Sequence, residues 1–217
     1  MPAIAPSDKK LRAWFPELSD ETHRMLDLYL EELLKFNKAI NLISVASAPR
    51  VETVHFADSI LAGKIIYPAL HLDKEVFDFG SGNGFPGIVM AMMFPNFHFT
   101  LVERDSRKIE FLKHTVARAG LKNVATLVSS IEDLPEASCL NVVTRGFAAL
   151  HRCMLLARKP MAKGGRLFHL KGDSFASELA GVPSQLFSHW NASLVGDYKL
   201  PETNSIETIV LTEKISD

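Results

Sequence analysis

The stretch Val76-Phe77-Asp78-Phe79-Gly80-Ser81-Gly82-Asn83-Gly84-Phe85-Pro86-Gly87-Ile88 decides the fold. An apolar run closes on an acid, four glycines follow within eight residues, and apolar residues resume behind Pro86. That order predicts a buried strand, a tight turn and the start of a helix. Glycine permits positive φ and lets a ligand approach the backbone. The helix behind it offers unpaired N–H groups and a partial positive charge. A turn of this kind at the C-terminal end of a parallel strand is where open α/β sheets bind nucleotides.

Working outward, Phe97 to Val102 reads as a second apolar strand, and it ends on Glu103. Two cofactors fit this pair of strands. Gly82-x-Gly84-x-x-Gly87 satisfies the dinucleotide fingerprint, with Glu103 near the spacing of a ribose acid. Asp78-x-Gly80-x-Gly82-x-Gly84 also fits the acidic-glycine loop of S-adenosylmethionine (SAM) methyltransferases, in which no phosphate is cradled. Glu103 can accept both ribose hydroxyls of either cofactor. The surrounding order separates them. Strand-like runs at 75–80, 97–103, 124–129, 140–144 and 166–171 alternate with helical runs at 86–93, 106–119 and 147–159, and Gly120 stops the second of these helices. Such alternation predicts a parallel sheet with helices on both faces. The tail differs: Ser193–Leu200 and Glu207–Glu213 read as strands joined by a short Pro-Glu-Thr-Asn-Ser loop, a hairpin. A mostly parallel sheet finished by an antiparallel hairpin is the Rossmann-like layout of class I SAM-dependent methyltransferases. A dehydrogenase half would continue with βαβ units, and no Tyr-x-x-x-Lys pair is present. The order therefore favours SAM over NAD.

Ahead of this α/β region, residues 1–74 read as an N-terminal helical extension. Residues 1–18 are expected to be loosely ordered, with Trp14 and Phe15 as anchors. Ser19 can cap a helix with Asp20 and Glu21 in its first turn, and Leu26, Tyr29, Leu30, Leu33 and Leu34 recur at helical spacing to about Phe36. A second helix is expected from about Val51 to Ile66, where Val51, Val54, His55, Asp58 and Leu61 lie three or four apart. Residues 75–217 are expected to form the SAM-binding domain, and the two parts to make one compact unit. Lys and Arg number 24 against 25 acids, so no whole-protein field argues for nucleic acid. Cys139 and Cys153 lack metal-ligand spacing, fit a reducing compartment and are expected to be small core residues. No metal is expected. No signal segment or membrane-spanning run is visible, which predicts a cytoplasmic protein with no membrane partner.

The methyl acceptor is narrowed by exclusion. Transfer to exocyclic amines of adenine or cytosine usually relies on a Pro-Pro-aromatic loop after the fourth strand, where this chain has Thr144-Arg145-Gly146-Phe147. Transfer to cytosine C5 needs a cysteine nucleophile, and neither cysteine follows a proline. Acceptors already nucleophilic at neutral pH remain, guanine N7 among them, and these need positioning rather than a base. Between Glu136 and Asp173 there is no acid, while Arg145, Arg152, Arg158, Lys159, Lys163, Arg166 and Lys171 accumulate with His151 and His169. Arg104, Arg107 and Lys108 follow the second strand. This segregation suits a polyanion on one face, or else a solvated helix face. Phe147, beside Arg145, is placed either to stack on a base or to enter the core.

These residues together resemble the RsmG (GidB) family of bacterial methyltransferases. Its marks are Lys35-Phe36-Asn37-Lys38-Ala39-Ile40-Asn41-Leu42-Ile43-Ser44-Val45, His55-x-x-Asp58-Ser59, the glycine loop with Phe85-Pro86-Gly87, Arg107-Lys108-Ile109-Glu110-Phe111-Leu112, Thr144-Arg145-Gly146-Phe147-Ala148 and Leu170-Lys171-Gly172. The resemblance covers about residues 25–215. It implies formation of 7-methylguanosine in 16S ribosomal RNA, with SAM as cofactor and 16S RNA or the small subunit as partner. It places cofactor positions on Gly80, Phe85, Ile131, Glu132 and Arg145, with Glu103 at the ribose position. Asn83 stands where relatives often have Pro, Phe85 where they have Leu, and Gly146 where they have Ala. The expected cofactor-binding set is thus Asp78, Gly80, Gly82, Gly84, Phe85, Glu103, Ile131, Glu132 and Arg145. Arg145 doubles as the catalytic positioning residue, and Asn41, Phe147, Arg152 and Lys171 are expected at the substrate. His55 and Asp58, one turn apart, could tie the helical front end to the loop. A SAM enzyme with another RNA or a small acceptor, or a SAM-binding module without activity, are the alternatives.

Overall fold

An amphipathic helix capped at Ser19 needs an apolar surface to lie on, and the sheet supplies one. In the computed structural model, which describes residues 10–172 and 175–216, α1 (Lys10–Trp14) precedes the long α2 (Asp20–Ile40). Residues 10–14, expected to be loose, are therefore helical, and Phe15 is buried. The part of that expectation covering residues 1–9 lies outside the described residues. Ser19 Oγ accepts the Thr22 N–H at 3.1 Å, and Asp20 and Glu21 fill the first turn of α2. The helix runs past Phe36 and stops at Asn41, whose φ of 37° is left-handed. Asparagine tolerates that conformation because its short side chain bonds locally.

The second helical segment is not uniform. A 3₁₀ turn at Ala48–Arg50 leads into a π-helical stretch, Glu52–Ala57, which continues as α3 (Asp58–Ile66). Apolar spacing alone predicted one regular helix. A wider turn shifts later side chains around the axis without altering the composition, so periodicity does not register it.

The α/β region follows as β1 (Val76–Phe79), α4 (Gly87–Met93), β2 (Phe99–Glu103), α5 (Ser106–Ala119), β3 (Val124–Val128), β4 (Cys139–Arg145), α6 (Leu150–Ala157), β5 (Met161–Lys171), α7 (Phe175–Ala180), β6 (Trp190–Lys199) and β7 (Ile206–Lys214). The seven strands form one sheet in the order β3-β2-β1-β4-β5-β7-β6. The first five pair in parallel, and β7 runs antiparallel to both β5 and β6. The chain begins at the centre of the sheet, steps outward through β2 and β3, then returns to β4 on the other side. The ends of β1 and β4 are therefore a topological switch point, where a crevice opens.

Both faces of the sheet are covered. On one face Leu26, Tyr29 and Leu33 of α2 share a buried cluster with Phe85, Ile88, Leu101 and Phe111. The helical front end thus has no separate core. On the other face Leu150 and Met154 of α6 pack with Val142, Leu167 and Trp190. Each such side chain contributes about 1.5–3 kcal/mol on burial. Cys139 and Cys153 are free and buried, and burial pushes both thiols up to about 11. Among the described residues no helix is long and apolar enough to cross a membrane. None of their His, Cys, Asp and Glu side chains gather in threes around a possible metal.

Candidate active site

The glycine loop leaves the end of β1 and is held from beneath. Asp78 is fully buried, and its Oδ2 accepts the N–H of Gly87, the first residue of α4, at 3.0 Å. A Cβ on Gly87 would stand 2.6 Å from that oxygen, so glycine is what allows the carboxyl so close. Asp78 Oδ1 is buried with no hydrogen-bond partner among the described residues, and burial pushes the carboxyl up to about 7. Gly84, at φ +96°, faces α2, and a Cβ there would meet Tyr29 Oη at 2.6 Å. The sequence reading put Asp78 and Gly84 among residues touching a cofactor. The structure places both under the loop, where they set its shape. Glycine spacing does not tell which side of a loop faces the ligand.

Above the loop lies a cleft of about 920 Å³ at the switch point. Gly80, Gly82, Phe85, Glu103, Ile131, Glu132 and Arg145 of the expected cofactor set all line it. Glu103, the last residue of β2, accepts Gly82 N–H at 3.0 Å and Asp105 N–H at 2.9 Å, one bond to each carboxylate oxygen. Its orientation is thereby fixed while lone pairs remain for a ligand. A 3₁₀ turn after β3, Ile131–Asp133, delivers Ile131 and Glu132 to the wall. A Cβ on Gly82 would meet nothing nearer than the Gly80 carbonyl at 3.6 Å, so the backbone there is open to a ligand.

Arg145 ends β4 and is gripped by the π-helical stretch. Its Nη1 donates to the Val54 carbonyl and to Asp58 Oδ2, both at 2.9 Å, and its Nη2 donates to His55 Nδ1 at 2.7 Å. The guanidinium also lies 5.3 Å from the Phe85 ring centre. Because a guanidinium only donates, His55 Nδ1 accepts and its proton sits on Nε2, which is buried without a partner among the described residues. Burial and the neighbouring guanidinium push His55 down to about 3, so it is neutral at physiological pH. Asp58 Oδ1 accepts the Tyr198 hydroxyl at 2.6 Å. Tyr198 comes from the terminal hairpin and was not picked out from the sequence; a lone tyrosine in an alternating strand gives no signal.

The expected substrate residues divide. Phe147 is partly exposed, lines the cleft and lies over Gly80, where a Cβ would strike its ring. Arg152, exposed on α6, also lines it. Asn41 does not, and serves as the left-handed end of α2. Lys171 is drawn inward: its ammonium donates to Glu178 at 2.7 Å and to the Ala148 carbonyl at 3.0 Å.

The acid-free interval likewise does not form one basic face. Since α6 carries the chain from the cleft back to the start of β5, Arg158 and Lys163 sit toward the far end of the sheet. Arg166 donates to the Ala69 carbonyl, and buried His169 is held near 3 by desolvation, hence uncharged. The cleft instead takes its cations from separate segments: Arg50, Arg104, Lys108, Arg145 and Arg152. Arg50, on the 3₁₀ turn before the π stretch, escaped the sequence reading because it belongs to no charge cluster.

The strand order, its hairpin ending and the crevice at the switch point define a class I SAM-dependent methyltransferase fold. Solved structures agree: a SAM-dependent methyltransferase from Aquifex aeolicus superposes with a TM-score of 0.56 at 13% identity, covering 83% of this chain and 98% of that one. The tRNA (m1A58) methyltransferase TrmI of Aquifex aeolicus gives 0.55 at 15% identity over 74% of this chain and 69% of its own. Sequence comparison is more specific. The model of the rRNA small subunit methyltransferase G (GidB) family matches residues 22–198. Ribosomal RNA small subunit methyltransferase G 3 of Bdellovibrio bacteriovorus is 40% identical over 207 residues, 95% of this chain and 94% of that protein. Ribosomal RNA small subunit methyltransferase G of Pectobacterium carotovorum is 33% identical over 178 residues, 81% of this chain and 84% of its own. The chain belongs to the rRNA small subunit methyltransferase G family.

Proposed function

We propose that this protein transfers the methyl group of SAM to N7 of a guanine in the 16S RNA of the small ribosomal subunit, in the cytoplasm where that RNA is assembled. The observation behind the reading is the switch-point cleft, in which a fixed carboxylate, Glu103, and a fixed guanidinium, Arg145, stand on opposite sides of an open glycine backbone. The cleft suits a ligand of SAM's size. When bound, SAM supplies a methyl group on a cationic sulfur, which a neutral lone pair can displace in line.

The residues would share the work as follows. Glu103 would hold the ribose hydroxyls with its unused lone pairs, and Ile131 and Glu132 would border the base. Phe147, half exposed over Gly80, would offer a face for stacking a purine. Arg50, Arg104, Lys108 and Arg152 would neutralise phosphates. Guanine N7 bears no proton, so the transfer requires no base. His55, held neutral with its acceptor nitrogen engaged by Arg145, is not available as one. Proximity and orientation then supply the acceleration, on the order of 7–11 kcal/mol in favourable intramolecular cases. The helical front end and the sheet act as one unit in this reading, since Arg145, at the end of β4, is held by Val54, His55 and Asp58 of the front end.

Incubation of unmethylated small subunits with labelled SAM, nuclease digestion and mass identification of the nucleoside tests the proposal. Labelled 7-methylguanosine is the expected product. A different methylated nucleoside, or no transfer to RNA, would overturn it.

A further inference from the structure

Five N–H donors belong to an arginine, and three of those on Arg145 are already satisfied by Val54, His55 and Asp58. What remains is Nε–H and one hydrogen of Nη2, on a side chain that lines the cleft and is 16% exposed. One ring, Phe85, backs the guanidinium. The grip depends on Asp58, whose side chain is 8% exposed and whose other oxygen is held by Tyr198. Three segments far apart in the chain meet there: the π-helical stretch, the end of β4 and strand β6.

We infer that Tyr198 and Asp58 are positioning residues for the transfer, acting through Arg145; this rests on the proposed methyltransferase activity. Replacing a buried ion pair by apolar side chains is often neutral or stabilising, so fold stability gives little reason to place one at the rim of a cleft. Orientation gives a reason. The Asp58 carboxylate can turn about its last torsion unless both oxygens are engaged. With Tyr198 on Oδ1, Oδ2 is aimed at Nη1 and the arginine's remaining donors stay directed at the bound molecules. Without that hydroxyl, Oδ1 is left unsatisfied, the carboxylate re-aims, and Nη1 loses a partner. The terminal hairpin, whose loop residues Thr203 and Ser205 also line the cleft, thereby reaches Arg145 through two side chains.

The test is Tyr198→Phe and, separately, Asp58→Asn, each made in the full chain and again in an Arg145→Lys background, with thermal unfolding confirming the fold. Both keep side-chain shape, so either can report if the other fails to fold. Tyr198→Phe is expected to lower kcat on small subunits about tenfold while changing the KM for SAM less than about threefold, the pattern of an interaction used in the transition state. In the Arg145→Lys background the same change should alter kcat less than about twofold, because residues acting through one group are not additive. Full additivity, or an unchanged kcat in the wild-type background, would overturn the inference. A second readout does not need activity. Side-chain nitrogen NMR of Arg145, assigned by its loss in Arg145→Lys, should show Nη groups held from rotating in the wild type and released by Tyr198→Phe. If wild type methylates no RNA, the proposed function fails while this signal still decides the positioning; rotation unaffected by Tyr198→Phe would refute it.

Discussion

Gly87→Ala should be among the most damaging single-methyl additions in this protein, and for reasons unrelated to ligand contact. The added Cβ would stand 2.5 Å from Leu101 Cδ2, 2.6 Å from Asp78 Oδ2 and 2.9 Å from Asp78 Cβ. Carbon contacts are optimal at about 3.5–4.0 Å. Leu101 is fully buried in the cluster joining α2 to the sheet, so it has nowhere to retreat. Overpacking of this kind costs about 1–3 kcal/mol. Moving Asp78 instead breaks its bond from the Gly87 N–H and strands a buried carboxyl, about 1.5–3 kcal/mol more. Where both neighbours give, the sum is roughly 2.5–6 kcal/mol, against a typical total stability of about 5–15 kcal/mol. Gly82→Ala is the control. Its Cβ meets only the Gly80 carbonyl at 3.6 Å, so the cost is the left-handed φ of +54°, about 1–2 kcal/mol. Urea unfolding followed by circular dichroism measures both variants. A Gly87→Ala protein within about 1 kcal/mol of wild type, or one more stable than Gly82→Ala, would refute the view that Asp78 and Gly87 support the loop from below.

Three further outcomes are expected. Glu103→Ala should weaken SAM binding by about 1.5–3 kcal/mol; calorimetry showing unchanged affinity would remove Glu103 from the ribose position. The Asp78 carboxyl, at about 7 in the fold against an ordinary 3.8, binds its proton more tightly when folded. Its contribution to stability is therefore full below about pH 4 and lost as pH rises through about 7, by on the order of 1.4 kcal/mol per pH unit. The unfolding free energy of Asp78→Asn relative to wild type should accordingly shift in the variant's favour across that window and level off outside it, and a difference independent of pH would contradict the buried-acid reading. Charge reversal at Arg50, Arg104 and Arg152 should flatten the salt dependence of RNA binding by about 0.7 in log–log slope per lost single-strand phosphate contact, while reversal at Arg158 and Lys163 leaves it unchanged; equal effects of the two sets would restore the idea of a single basic face.

The sheet was legible because its signals are local. Strands buried on both faces read as apolar runs, helices as a 3.6-residue period, and Gly120 and the hairpin loop mark ends. Glu103 and the glycine loop were legible for the same reason: a strand tip and a turn are defined by neighbours in sequence. The linear run of cations between Glu136 and Asp173 misled because a crossover helix reverses the chain, sending Arg158 and Lys163 toward the opposite end from Arg152. Burial then removed His169 from the charge count, and Glu178 claimed Lys171. Neither effect is visible in composition.

The support of Arg145 shows most clearly why part of a site stays hidden. His55 and Asp58 stood out as a motif, but nothing in one sequence reveals that a π-helical stretch turns both toward the end of β4, or that a hairpin tyrosine closes the set. The arrangement has an electrostatic logic. An imidazolium beside a partly buried guanidinium would repel it; a neutral imidazole with its lone pair turned inward attracts it. Desolvation and that repulsion act in one direction and hold His55 down to about 3. The ring is thus an acceptor for Arg145 throughout the neutral range. A reaction whose nucleophile is ready without a base gains from such a site, since its rate then depends on placement alone.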